Sequence, residues 1–99
     1  MMLKNREDLE QKYDEAKSLY ENGIFKSAKE LFIELILKDS FRWEFWYSLA
    51  VIYEIENNYI QAINSYNMAT ILNPTNGEIY LHLAQCLLSL NDKNRAIDN

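Results

Sequence analysis

Apolar residues recur along the chain at helical spacing, and the same pattern returns every 34 residues. Trp46, Leu49, Ala50 and Tyr53 follow i, i+3, i+4, i+7, and after a break at Asn57-Asn58 the series Ala62, Tyr66, Ala69 continues at i, i+4, i+7. That spacing lines one face of a helix. A shift of 34 brings Ala16 onto Ala50 and Ala84, Leu19 onto Tyr53 and Leu87, and Ala28 onto Ala62 and Ala96. It also places Phe32 on Tyr66 and Trp46 on Tyr80. A period of this length marks stacked two-helix units, none of which can bury its apolar face alone. The punctuation agrees, with Asn22-Gly23, Asn57-Asn58 and Asn91-Asp92 separating the helices of each pair. Pro74 closes the second unit, and Thr75 with Glu78 reads as a capping box opening the next helix.

The pattern predicts helices near 6–22, 25–38, 43–56, 59–72 and 77–90, with a short further start from about 93. The expected fold is all-α, a solenoid of helical hairpins in a single domain over 1–99. Its units lie near 9–42, 43–76 and a truncated 77–99, about two and a half repeats. The competing reading is one ordinary helical bundle without repeat geometry. In the solenoid the recurring alanines let paired helices approach closely, while Trp46, Tyr53, Phe32 and Tyr66 fill the space between hairpins.

Composition narrows the function. With 10 Lys and Arg against 15 Asp and Glu, the net charge of −5 argues against a nucleic-acid partner, which needs clustered cations. Residues 1–42 hold eight basic and nine acidic residues, and 43–99 hold two and six, so no polybasic arm exists to grip a membrane. The lone cysteine, Cys86, fits a reducing cytosol. The N-terminus turns polar at Lys4 with no apolar signal segment, and runs such as Leu35-Ile36-Leu37 are too short to span a bilayer. A cytoplasmic protein is expected.

Trp46-x-x-Leu49-Ala50-x-x-Tyr53, followed by Ala62-x-x-x-Tyr66-x-x-Ala69 and Pro74, resembles the tetratricopeptide repeat pattern. The unit at 43–76 is the near-perfect copy. The first departs at Lys12 and Glu15, where the pattern wants apolar residues, and the third stops about eleven residues short of a full unit. A narrower resemblance lies in Leu19, Asn22-Gly23-Ile24-Phe25, Ala28, Phe32 and Asp39, in the aromatic entry Phe41-Arg42-Trp43-Glu44-Phe45-Trp46, and in Leu83-Ala84-Gln85-Cys86-Leu87-Leu88. These are similar to the cytosolic bacterial chaperones of type III secretion translocators, class II, over residues 12–96.

The repeat resemblance implies that the first helix of each pair lines a concave face. Tyr13, Lys17 and Tyr20, then Tyr47, Val51 and Glu54, then Leu81, His82 and Gln85 are the candidate peptide-binding residues. Tyrosines suit peptide capture because they bury large area at low rotamer cost and keep a polar tip. In the chaperone family the groove holds an extended translocator segment before export. Tyr13 and Tyr20 match peptide-contacting aromatics of its first repeat. The plainer reading is that some of these tyrosines only cover the hairpin seam.

Another tetratricopeptide class clamps a C-terminal carboxylate with basic side chains. The corresponding places here hold Tyr13, Lys17, Ser48, Glu78 and His82, one cation in five, and Glu78 would repel the ligand. Glu78, His82 and Cys86 share one helix side at i, i+4, i+8, yet no second His or Cys completes a zinc site. No cofactor, metal or catalytic residue is expected, and no enzyme motif is present. Five rings in Phe41, Trp43, Phe45, Trp46 and Tyr47 exceed what one helix start buries on one side. Phe41, Trp43 and Phe45 are therefore candidates for contact with the preceding helix or another subunit. The alternative function is a generic adaptor or self-assembling scaffold. The unfinished third unit would leave the apolar side of residues 80–90 uncovered, which suggests a homodimer, an exchanged helix or a piece of a longer chain.

Overall fold

The computed structural model describes the backbone of residues 2–98 and the side chains of residues 8–95, so that Ala96 of the third alanine set lies outside the described side chains. Among the described residues it contains helices α1 (Met2–Glu21), α2 (Phe25–Lys38), α3 (Trp43–Ile55), α4 (Tyr59–Leu72) and α5 (Gly77–Asp98), and no strand. Each helix packs on the next in chain order. The result is an elongated body of 57 × 30 × 19 Å.

Two left-handed residues, 34 apart, make the hairpins. Gly23 has φ +75° and Asn57 has φ +62°. The backbone there closes identically: Gly23 N–H donates to Tyr20 O (3.0 Å) and Ile24 N–H to Leu19 O (2.9 Å), while Asn57 donates to Glu54 O (3.0 Å) and Asn58 to Tyr53 O (2.8 Å). This paired closure satisfies the last carbonyls of a helix and reverses the chain within two residues. The longer links between hairpins also repeat. Trp46 Nε1 donates to Ser40 O and Tyr80 Oη to Pro74 O, both at 2.9 Å and both six residues back. The repeat thus wants an aromatic ring with a polar tip at this place.

The core has two parts. Ala16, Ala28, Phe32, Leu35, Ile36, Phe45, Leu49 and Ile52 fill the space among α1, α2 and α3, and Ala50, Ala62, Tyr66, Ala69, Ile79 and Cys86 fill that among α3, α4 and α5. Lys12, which stands where α3 carries Trp46, reaches across to Glu34 at 2.7 Å. Its ammonium holds the Glu34 carboxyl below the usual range. Because Ala62 is fully buried in the α3–α4 seam, Ala62→Leu is expected to cost about 1–3 kcal/mol by overpacking. A urea midpoint equal to wild type would contradict that packing.

Three expectations change. The break at Asn91-Asp92 does not form, and α5 runs without interruption to Asp98. Thirty-four residues before, Tyr59 packs against the core just after the turn, whereas the matching Lys93 has no apolar body to dock, so continued helical hydrogen bonding wins. The α5 cap is Asn76 rather than Thr75: Glu78 N–H donates to Asn76 Oδ1 at 3.1 Å. Ala84, unlike Ala16 and Ala50, is exposed, because no described helix covers that side of α5.

Candidate functional site

A cleft of about 370 Å³ opens across the first helices of the successive units. It is lined by Lys17, Tyr20 and Glu21 of α1, Phe32 of α2, Tyr47, Ser48 and Val51 of α3, and His82 of α5. Its far wall is an aromatic cluster. Tyr47 meets Tyr66 at 5.8 Å and 64°, and His82 edge-on at 5.7 Å and 88°. Tyr66 stacks on His82 at 5.6 Å and 25°. Beneath these rings Tyr66 Oη donates to Glu54 Oε1 at 2.7 Å, and His82 Nδ1 lies 3.2 Å from the same oxygen. Every buried side-chain nitrogen and oxygen among the described residues has a partner, as a low-dielectric wall requires.

The electrostatics follow from this packing. Burial, reinforced by Glu78, pushes the Tyr47 hydroxyl up to about 12. Burial and the Glu54 hydrogen bond push the Tyr66 hydroxyl up as well. Burial first, and then the Glu54 charge, raises the Cys86 thiol from 9.0 to about 12. The unfolded chain therefore gives up these protons first as pH rises. Stability from these groups is full below pH 9 and is lost progressively between pH 9 and about 12, an alkaline weakening that a pH series of thermal melts would show. Thiolate is the reactive form of cysteine. Alkylation of Cys86 by iodoacetamide at pH 8 is expected to be about 100-fold or more slower in the folded chain than in denaturant. Equal rates would place the thiol at the surface.

The structure divides the sequence candidates. Lys17, Tyr20, Tyr47, Val51 and His82 come together around the cleft. Tyr13 does not line it: its ring packs edge-on against Phe45 at 5.1 Å and Phe32 at 6.3 Å, and Lys17 Nζ lies over it at 4.3 Å. With Lys12 drawn away to Glu34, Tyr13 covers the apolar space between α1 and α3. Glu54 turns inward to Tyr66 and His82. Leu81 and Gln85 are exposed and lie off the cleft. Phe45 is fully buried in the core, with no surface left for another chain; Trp43 packs on Tyr47 at 5.8 Å, and Phe41 is 82% exposed. Glu21, Phe32 and Ser48 also line the cleft, outside the candidate set, and the period marks the last two, since Phe32 matches Tyr66 and Ser48 matches His82.

Chemically, the cleft offers apolar walls, the Lys17 ammonium, the hydroxyls of Tyr20, Tyr47 and Ser48, the Glu21 carboxylate and the His82 imidazole. Among the described residues no three His, Cys, Asp or Glu side chains converge as a metal site, and no described helix is long and apolar enough to cross a membrane.

The tetratricopeptide repeat family model matches residues 13–76. The chain belongs to the tetratricopeptide repeat family. This tetratricopeptide repeat protein is also similar to solved structures. The type III secretion chaperone SycD of Yersinia enterocolitica, in complex with a peptide of the translocator YopD, is 27% identical at a TM-score of 0.83, over 86% of this chain and 65% of that one. PcrH in complex with the chaperone-binding region of PopD is 25% identical at 0.84, over 88% and 65%. A type III secretion system complex from Aeromonas hydrophila is 26% identical at 0.85, over 96% and 65%. The tetratricopeptide chain thus spans 65% of the length of each of these proteins. No curated protein matches it by sequence.

Proposed function

We propose that this chain is a peptide-binding chaperone, holding an extended segment of a type III secretion translocator in its cleft in the bacterial cytoplasm before export. The observation that carries the reading is the cleft itself, which joins the first helices of three successive units through Tyr20, Tyr47 and His82. Similarity to SycD and PcrH, each solved with a translocator segment, supports the choice of client. The fold and these neighbours point to protein binding rather than catalysis. Capture needs no covalent step: apolar side chains of the client enter between the rings, and polar groups at the rim hold its main chain. The volume lies at the low end for ligand pockets, enough for a few side chains at a time.

The decisive experiment is a calorimetric titration with a synthetic peptide of the PopD chaperone-binding region. Saturable one-to-one binding is expected. An absence of heat and of any spectral change at millimolar peptide would overturn the reading.

One observation favours a second reading, a self-associating scaffold. The face of α5 carrying Tyr80, Ala84, Leu87 and Leu88 is exposed, Leu88 at 66%, and the matching face of α3 is the one α4 covers. Light scattering over a concentration series separates the two. Mass that rises with protein concentration and ignores peptide favours the scaffold or a homodimer.

A further inference from the structure

His82 is the one histidine of the chain, and its surroundings fix which ring nitrogen is free. Glu54 Oε1 accepts the Tyr66 hydroxyl and lies 3.2 Å from His82 Nδ1. A carboxylate oxygen can only accept, so Nδ1 is the nitrogen that carries hydrogen. Turning the ring over would put a carbon against the carboxylate instead. Nε2 has no partner among the described residues, and no side-chain nitrogen there is buried without one. Nε2 is therefore not buried, and His82 is one of the residues that line the cleft.

We propose that Glu54 holds the neutral His82 ring in its Nδ1–H form, so that Nε2 stands in the cleft as a bare acceptor and takes a main-chain N–H of the bound segment. The inference rests on reading the cleft as a peptide site. Among the other polar groups of the cleft, the Lys17 ammonium only donates, the Glu21 carboxylate is exposed at the α1 end, and the hydroxyls of Tyr20, Tyr47 and Ser48 donate as well as accept, so a bare Nε2 is the group away from that end that can only accept. An extended segment presents its amides at alternate residues, so one amide meets the imidazole while a neighbouring side chain enters between Tyr20 and Tyr47. The contact rejects proline at that one position, because proline has no N–H. Glu54 is thus a positioning residue that acts on the client through His82.

Two measurements decide it. The first is the side-chain nitrogen NMR spectrum of the single histidine in the free protein, recorded with the ring neutral. Nε2 is expected to resonate as the unprotonated nitrogen in the wild type and in Glu54→Gln, whose amide oxygen still accepts. Glu54→Met is expected to revert to the Nε2–H form that a free imidazole side chain prefers in water. Protonated Nε2 in the neutral wild type would overturn the Glu54 arrangement.

The second measurement titrates the PopD peptide, N-methylated at one amide at a time, into wild type and His82→Phe, which keeps a ring between Tyr47 and Tyr66. One methylation is expected to weaken wild-type binding by about 2- to 10-fold, the worth of a net hydrogen bond, and to have no effect on His82→Phe. If every methylation costs both proteins alike, the amide contact is wrong while the cleft reading stands. If the unmodified peptide fails to bind the wild type, the cleft reading falls and the amide contact with it, and the nitrogen spectrum still decides the role of Glu54.

Discussion

Phe45→Ala is expected to destabilise the fold by about 3–5 kcal/mol, the cost of emptying a phenylalanine-sized space in a packed core. Phe45 is fully buried in the core that α1, α2 and α3 share, with Tyr13 of α1 edge-on at 5.1 Å and the Arg42 guanidinium over its ring at 4.6 Å. In a chain of this size each kcal/mol moves the melting midpoint by about 4–8 °C, so the variant should melt about 15 °C or more below wild type. Phe41, four residues earlier and 82% exposed, provides the contrast: Phe41→Ala should change stability by less than about 0.5 kcal/mol. Similar midpoints for the two variants would mean that Phe45 does not sit in the first core.

Tyr20→Ala combined with Tyr47→Ala is expected to weaken peptide binding by about 100-fold or more. Buried aromatic anchors at interfaces cost about 2 kcal/mol or more each on truncation, and each 1.4 kcal/mol is about tenfold in affinity. Both rings are half-buried against their own neighbours, Tyr20 against Phe25 at 5.9 Å and Tyr47 against Trp43 at 5.8 Å. Their loss therefore also costs some packing. Circular dichroism and a melting curve on the same sample separate the effects. A folded double variant that binds peptide as wild type does would remove the rings from the binding account.

Much of the fold was legible because its signals were local and repeated. Helices α2 and α4 begin and end where the apolar period and the Asn and Gly turns put them. Gly23 and Asn57 supply the left-handed residues those turns require. Asn91 carries the same local signal and stays helical. Whether such a turn forms depends on the apolar body that follows it, Tyr59 in one case and Lys93 in the other, and single-residue punctuation does not report that.

The cleft was legible at Lys17, Tyr20, Tyr47, Val51 and His82, where register alone decides which side of a helix a residue takes. Tyr13, Glu54, Leu81 and Gln85 lie off it, Tyr13 and Glu54 for a reason register does not contain. Tyr13 was drawn inward by the apolar space left beside Lys12, and Glu54 by two partners, Tyr66 and His82, 12 and 28 residues further along the chain. Side chains that answer to distant partners cannot be placed from their own helix. The same holds for Phe45: a crowd of rings was visible in the sequence, but only packing shows that this one faces Tyr13 and not solvent.

The most direct test of the peptide-bearing cleft is an amide NMR titration of the labelled chain with the PopD chaperone-binding peptide. Capture in the cleft requires the largest shifts at Lys17, Tyr20, Tyr47, Val51 and His82, with the outer residues of α5 unmoved. Shifts confined to Tyr80, Leu87 and Leu88, with those five silent, would contradict it.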